Sequence, residues 1–203
     1  MKLKDALNEQ GNPYWIPDCS RNDLPAFFKE LGFKKGAEVG VFEGTFLRDF
    51  CAVGLDMYGI DPWTEENRNT MRAKSDTMEQ VYQTAANTVS EYPNCVLIKK
   101  TSMEAVKDFE NESLDFVYID ADHTFGHVAM DLMIWMPKVR KGGIISGHDY
   151  TGNARQMKHF AHTGDAVDAF AKSYGFTNWY VVGGKERIRG ERRDKALSFF
   201  IIK

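Results

Sequence analysis

The sequence predicts a doubly wound α/β fold, in which a mostly parallel sheet is covered by helices on both faces. Three observations support this fold class. From Ala37 onwards, short apolar runs alternate with stretches of helical periodicity. The apolar runs are nearly continuous, which is typical of parallel strands buried on both faces. The stretches between them are long enough for the crossover helices that parallel strands require.

The elements follow in order along the chain. The first 20 residues, rich in Gly, Asn and Pro, predict an irregular arm. Residues 21–33 predict a helix that begins at Asn22 or Asp23 and stops at Gly32. Strands, each followed by a helix, are expected at residues 37–42, 57–61, 95–100, 115–120 and 142–149.

Two further apolar runs close the chain, at residues 177–183 and 196–203. Only the charged segment 185–195 separates their cores, so they predict a hairpin that adds one antiparallel edge strand. The predicted sheet therefore has seven strands.

Composition argues against several classes of protein. The net charge of -3 provides no basic field for nucleic acid, and the cationic segment 185–195 is expected to be a solvated loop. Three cysteines without a CxxC pair, Cys19, Cys51 and Cys95, indicate neither a disulfide framework nor a cysteine zinc site. With no apolar signal region and no apolar run near about 18 residues, we expect a cytoplasmic protein without a membrane partner.

Glycines and ionisable residues are concentrated where the predicted strands end. The first strand runs into "EVGVFEGTF", the second into "GIDPW", the fourth into "YIDADH" and the fifth into "SGHDY". In open α/β sheets, ligands bind at the carboxyl ends of the strands. The sequence therefore predicts a ligand site at this edge.

The first two strand ends indicate the kind of ligand. Gly40 and Gly44 flank a strand-to-helix turn that lacks the GxGxxG of nicotinamide-cofactor folds. Glu38 and Glu43 would disfavour a pyrophosphate and suit a ligand that carries positive charge. Asp61, at the tip of the second strand, can bind both hydroxyls of a ribose, although an Asp before Pro also commonly caps a turn.

In this order, "AEVGVFEGTF", "YGIDPW", "DFVYIDADHTFGHVAMDL" and "VRKGGIISGHDY" resemble the class I S-adenosylmethionine-dependent methyltransferases. The closest resemblance is to the compact bacterial O-methyltransferase group that includes the cephalosporin-pathway and macrocin-type enzymes. It covers residues 37–150 and implies a Rossmann-like sheet with S-adenosylmethionine as cofactor. The cofactor-binding residues that it implies are Glu38, Gly40, Phe42, Gly44, Asp61, Trp63, Ser102, Met103 and Asp120.

Within this set, Ser102 and Met103 would flank the adenine, although Ser102 is equally a helix N-cap. Trp63 would form an aromatic wall for the nucleotide or shield the core. The whole chain is expected to form one domain. It comprises an arm and helix (1–35), a cofactor-binding core (36–150) and an acceptor-side loop, helix and hairpin (151–203).

Asp120, His123, His148 and Asp149 follow the fourth and fifth strands and are predicted to be the catalytic residues. In one mechanism, His123 or His148 accepts the proton of the acceptor hydroxyl. In the other, Asp120, His148 and Asp149 bind a divalent cation that lowers the pKa of that hydroxyl. Mg²⁺-dependent relatives carry an acidic pair after the fifth strand, and His148 replaces its first member, which favours a softer metal than Mg²⁺.

The acceptor pocket is expected to come from the arm with Tyr14 and Trp15, the segment 64–77 and the loop 150–164. The predicted partner is a small molecule with a hydroxyl group, and homo-oligomerisation is left open. The alternatives are a nicotinamide-dependent oxidoreductase and a non-catalytic cofactor-binding module. The missing GxGxxG argues against a nicotinamide-dependent oxidoreductase, and the grouped ionisable residues argue against a non-catalytic cofactor-binding module.

Overall fold

An eight-stranded mixed sheet forms the centre of the protein in the computed structural model, which describes residues 3–65, 77–150, 162–184 and 196–203. The strands are β1 (Tyr14–Cys19), β2 (Lys35–Val39), β3 (Asp56–Asp61), β4 (Cys95–Lys99), β5 (Leu114–Ile119), β6 (Val139–Gly147), β7 (Tyr180–Gly184) and β8 (Ser198–Ile202). Their order across the sheet is β1-β7-β8-β6-β5-β2-β3-β4. Only β8 runs antiparallel to its neighbours, β6 and β7.

Helices cover both faces of the sheet. They are α1 (Leu24–Glu30), α2 (Thr45–Ala52), α3 (Met78–Val89), α4 (Ser102–Ala105), α5 (Phe125–Trp135) and α6 (Thr163–Ser173). Side chains of α1, α2 and α3 pack with Phe116 and Tyr118 in one hydrophobic core. Side chains of α4, α5 and α6 pack with Val117 and Ile145 in a second core on the opposite face. The doubly wound fold class that the sequence predicts is therefore confirmed.

The strand order places a topological switch point between β2 and β5. From β2 the chain builds outwards through β3 to β4, whereas from β5 it builds in the other direction through β6. The helices that follow these two strands consequently lie on opposite faces and leave a crevice at the carboxyl ends of the strands. This crevice lies between the ends "EVGVFEGTF" and "YIDADH".

The structure differs from the predicted seven-stranded sheet in two ways. The predicted irregular arm contains β1, which pairs in parallel with β7 at the sheet edge, where Pro17 can be accommodated without a ladder N–H. The antiparallel strand is not at the edge, because β8 is inserted between β6 and β7. A hairpin pattern alone does not show which of its two strands pairs with the rest of the sheet.

Local boundaries also shift. The predicted helix 21–33 is divided into a 3-10 turn, Arg21–Asp23, and α1, which ends ahead of Gly32 with its φ of +81°. The segments 66–76, 151–161 and 185–195 lie outside the described residues, so most of the predicted acceptor loops and the whole cationic segment carry no structural description. None of the helices in the described ranges combines the length and apolar character needed to cross a membrane.

Candidate active site

The turn after β2 lies directly against the end of β5. The Gly40 amide donates a hydrogen bond to the Ile60 carbonyl (2.8 Å), and the Asp120 amide donates to the Val39 carbonyl (2.7 Å). Gly40 has a φ of +91°, and a Cβ at this position would collide with the Asp120 carbonyl oxygen. Only glycine fits both restraints. Two of the predicted site residues, far apart in sequence, are therefore in contact at the switch point.

Asp61, at the end of β3, holds the same turn from the other side. Its Oδ2 accepts hydrogen bonds from the amides of Val41 (3.1 Å) and Phe42 (3.0 Å), and its Oδ1 accepts one from the Trp63 amide (2.9 Å). Burial raises the pKa of Asp61, and these three donors partly offset that effect. A carboxylate offers about four acceptor sites, so capacity for a hydroxyl donor is left. Asp61 thus shapes the turn, and its remaining acceptor capacity suits about one ribose hydroxyl instead of the predicted two.

Trp63 and Phe42 have an unusual backbone conformation at this turn. Both have positive φ values, +43° and +52°, a sparsely populated region for bulky side chains that persists only where surrounding contacts impose it. The Trp63 indole N–H donates to the Phe42 carbonyl (2.9 Å), and the ring packs against Tyr82 in the core. Trp63 is only 3% exposed, so the structure favours the core-shielding interpretation of this residue.

Gly44 and Glu38 complete the predicted cofactor turn. Gly44 has a φ of +75°, immediately precedes α2 and approaches the backbone of Ala85 in α3. Glu38 lies inside β2, paired with Gly59 and Tyr118, and is almost completely buried. The helix therefore begins directly at the turn, and an acidic side chain is buried in the strand that leads into it.

Ser102 and Met103 begin α4, just past the end of β4. The Ser102 hydroxyl donates to Oδ1 of Asp131 and accepts from the Trp135 indole N–H (2.8 Å). Burial raises the pKa of Asp131 to about 6, and the Ser102 hydrogen bond opposes this rise. Met103 is exposed. The N-cap of α4 is Thr101, which leaves the Ser102 hydroxyl for this polar triad with Asp131 and Trp135.

The four predicted catalytic residues meet at one point at the carboxyl ends of β5 and β6. His123 Nε2 lies 3.4 Å from Asp120 Oδ1 and 3.2 Å from Asp149 Oδ2. His148 Nδ1 lies 3.6 Å and 3.5 Å from the same two oxygens. We call these four residues the acid-imidazole cluster. Asp149 has a φ of +56°, a strained conformation of the kind that clusters at functional sites.

Opposing effects set the charge of the acid-imidazole cluster. Burial alone would raise the pKa of Asp120, but hydrogen bonds from His123 and His148 and the positive charges nearby outweigh it and lower that pKa. Burial alone would lower the pKa of His123, but the hydrogen bond to Asp120 and the negative charges of Asp149 and Asp120 raise it. The geometry therefore favours an ionised Asp120 next to an imidazole that binds a proton readily.

Among the residues that the structure describes, Arg21 is one that sequence reasoning did not assign to this site. Its Nη1 lies 3.1 Å from Asp120 Oδ2, and its side chain is largely buried. A single Arg at the start of a predicted helix carries no signal for such a contact. Asp122, by contrast, lies outside the acid-imidazole cluster, because its Oδ1 accepts from the Thr124 amide (2.8 Å) and is 3.5 Å from Nδ1 of the exposed His127.

The predicted acceptor aromatics are only partly covered by the structure. Tyr14 packs edge-on against Tyr180 in the sheet. Trp15 is half exposed, and its ring lies edge-on to Tyr150, the residue after Asp149 (centroids 6.1 Å apart). Trp15 therefore lies on the β6 side of the site.

A doubly wound sheet with a glycine turn, an acidic strand end and an acid-imidazole cluster at its switch point is typical of α/β enzymes that bind a ligand at the carboxyl ends of their strands. The sequence profile of a family described as "Methyltransferase domain" matches residues 37–150. The match covers more than half of the chain, from the middle of β2 to the residue after Asp149. The chain belongs to this methyltransferase family.

Solved structures agree with the assignment at the level of the fold. The chain is similar to an O-methyltransferase from Bacillus cereus in complex with SAH (TM-score 0.62, 11% identity, 90% of this chain and 80% of that one). It is also similar to TomG from Streptomyces achromogenes, an O-methyltransferase of tomaymycin synthesis in complex with SAM (TM-score 0.62, 12% identity, 92% and 83%). At such identities these similarities show the fold alone.

A curated relative adds little about function. It is the uncharacterized protein y4gI of Sinorhizobium fredii, 34% identical over 53 residues. The match spans 26% of this chain and only 6% of that protein. The methyltransferase family therefore rests on residues 37–150, and the family favours methyl transfer over the nicotinamide-dependent alternative.

Proposed function

We propose that the protein transfers a methyl group from S-adenosylmethionine to a hydroxyl group of a small-molecule acceptor. The observation that carries the proposal is the position of His123 Nε2, 3.4 Å and 3.2 Å from two carboxylates at the switch point of a methyltransferase fold. The O-methyltransferases with similar folds and bound SAH or SAM support the choice of donor and acceptor atom.

The chemistry requires alignment and proton removal. S-adenosylmethionine supplies a methyl group on a sulfonium, so its carbon–sulfur bond breaks as a carbon–oxygen bond to the acceptor forms. His123 accepts the proton of the acceptor hydroxyl, and Asp120 and Asp149 stabilise the resulting imidazolium. The proton then passes to solvent. The turn around Gly40 and the Asp61 carboxylate hold the donor beside this site.

The test uses purified protein, labelled S-adenosylmethionine and a panel of phenols, catechols and sugar alcohols, with S-adenosylhomocysteine release as the measurement. Calorimetric titration with S-adenosylhomocysteine and with NAD⁺ separates the methyltransferase from the oxidoreductase. We expect His123→Gln to lower turnover by about 10²-fold or more with little change in S-adenosylhomocysteine affinity.

His127→Gln is the matched control, because His127 lies in the first turn of α5, close to His123 in sequence, but is exposed and faces Asp122 instead of the acid-imidazole cluster. Its turnover should equal that of the wild type. If His123→Gln were as active as His127→Gln, His123 would not be the base.

A second candidate mechanism, with a bound divalent cation, is favoured by a specific geometric observation. Donor atoms of Asp120, His123 and Asp149 all lie within 4.8 Å of one another. His123 Nε2 lies 3.4 Å and 3.2 Å from the carboxylate oxygens of Asp120 and Asp149, close to the separation of about 3.3 Å between two ligand atoms of a tetrahedral site with bonds of about 2.05 Å. Asp120, His148 and Asp149 are the predicted ligands, whereas the group that the structure brings together contains His123 in place of His148.

This donor set suits some cations better than others. One imidazole and two carboxylates favour Zn²⁺, Mn²⁺ or Fe²⁺, whereas Mg²⁺ prefers oxygen donors alone. A bound cation would polarise the acceptor hydroxyl. The test is calorimetric titration of chelator-treated protein with Zn²⁺, Mn²⁺ and Mg²⁺, together with the visible absorption of a Co²⁺ adduct. Binding that Asp149→Asn abolishes would support the cation, and heats equal to those of buffer for all three ions would exclude it.

A further inference from the structure

Arg21 comes from a part of the chain that the methyltransferase profile does not include. The profile begins at residue 37, whereas Arg21 opens the 3-10 turn Arg21–Asp23 that follows β1. This turn is fixed by the Ser20 amide, which donates to Asp23 Oδ2 (2.8 Å), and by the pairing of β1 with β7. The backbone of Arg21 is therefore anchored to the sheet, and its side chain extends towards the switch point.

The guanidinium of Arg21 contacts two elements of the site. Nη1 lies 3.1 Å from Asp120 Oδ2, and the guanidinium carbon is 5.0 Å from the ring centroid of Phe46. Phe46 is in the first turn of α2, directly after the glycine turn. Arg21 therefore links the helix that begins at the predicted cofactor turn to the carboxylate beside His123.

The two oxygens of Asp120 have different partners. Oδ2 faces Arg21, and Oδ1 faces the imidazoles of His123 (3.4 Å) and His148 (3.6 Å). A charge-assisted hydrogen bond is both short and directional, so the bond to Oδ2 fixes the rotation of the carboxylate about its χ2 angle. Without it, the carboxylate could rotate and withdraw Oδ1 from His123.

We propose that Arg21 is a positioning residue that orients Asp120, so that the N-terminal segment 14–23 is an integral part of the active site. This inference rests on the proposed function only in assigning a catalytic purpose to the orientation. The orientation itself can be tested without an acceptor, because the imidazoles of His123 and His148 report on the carboxylate that they face.

The experiment compares wild-type protein with Arg21→Gln and Arg21→Lys, each labelled with ¹⁵N-histidine. Side-chain nitrogen signals are recorded at one fixed pH and are assigned with His123→Gln and His148→Gln. In Arg21→Gln the ¹⁵N signals of both imidazoles should differ from those of the wild type by more than their linewidths. In Arg21→Lys, which keeps the positive charge, most of this difference should disappear. Affinity for S-adenosylhomocysteine, measured by calorimetry, should stay within about threefold of the wild type.

Arg140→Gln is the matched control. Arg140 also pairs with a strand carboxylate, Asp115 (2.6 Å), but at the opposite end of β5 and β6. The imidazole signals of the Arg140→Gln variant should coincide with those of the wild type. Phe46→Leu serves as a second probe should Arg21→Gln fail to fold, since it removes the ring beside the guanidinium and leaves the ion pair, and its signals should move in the same direction by less.

Folded variants of Arg21 or Phe46 with wild-type imidazole signals would overturn the proposal and leave Arg21 a stabilising residue only. Failure of the proposed function is a separate result. It would show as wild-type protein that releases no S-adenosylhomocysteine with any acceptor, whatever the imidazole signals do.

Discussion

Replacing Asp131 by Asn should remove a pH dependence of the protein's stability between about pH 4.5 and pH 8. Asp131 is only 6% exposed, and burial raises its pKa from an ordinary 3.8 to about 6. The folded state therefore holds the Asp131 proton at pH values at which the unfolded chain has already lost it. Stability falls as pH rises through this window, because the folded state then binds more protons than the unfolded state.

The size of the effect follows from the shift. A rise of about two pKa units corresponds to about 3 kcal/mol between the fully protonated and fully ionised limits. Part of this loss of stability has already occurred at about pH 4.5, so about 2 kcal/mol of it should be measured between about pH 4.5 and pH 8. Asn mimics the uncharged carboxyl and does not titrate. The stability difference between Asp131→Asn and the wild type should therefore grow by about 2 kcal/mol over this range.

The assay is urea unfolding of both proteins, followed by circular dichroism at several pH values. All other titrating groups are shared, so they cancel in the difference between the two proteins. A changed hydrogen bond between the introduced amide and Ser102 would shift the difference equally at every pH, without changing its slope. A difference that stays constant from about pH 4.5 to pH 8 would refute the reasoning, since Asp131 would then have no raised pKa in the folded protein.

Three further predictions concern residues in or next to the sheet. Asp115→Asn should change stability with pH in the opposite direction, because hydrogen bonds from backbone amides and Arg140 outweigh burial and lower the pKa of Asp115. The variant should be less stable than the wild type at neutral pH in the same urea assay, and this difference should shrink as the pH falls below about 4. Gly40→Ala should abolish measurable S-adenosylhomocysteine binding in calorimetry, because its Cβ collides with the Asp120 carbonyl, and affinity equal to that of the wild type would contradict this geometry. Tyr118→Phe should lower the free energy of unfolding by about 1 kcal/mol, because the buried Ser198 hydroxyl loses its hydrogen-bond partner at 3.1 Å. An unchanged urea midpoint would show that this hydrogen bond does not contribute to stability.

The sequence was sufficient for the fold class and for the convergence of the strand-end residues at one edge of the sheet. Periodicity identified the parallel strands, because strands buried on both faces must be apolar throughout. Strand ends such as Asp61 and Asp120 could be placed at one edge because parallel strands all direct their carboxyl ends the same way. The contact between Gly40 and Asp120 and the convergence of His123 with Asp149 agree with that reasoning. The roles of these residues in catalysis stay predictions.

Strand pairings and side-chain contacts between distant segments could be determined only from the tertiary structure. The pairing of β1 with β7, the insertion of β8 and the contact of Arg21 with Asp120 each join residues whose partners local sequence does not specify. The burial of Trp63 likewise depends on neighbours supplied by α3. Periodicity reports which face of an element is apolar, but the position of a polar side chain in the fold is set by the summed packing of the whole sheet.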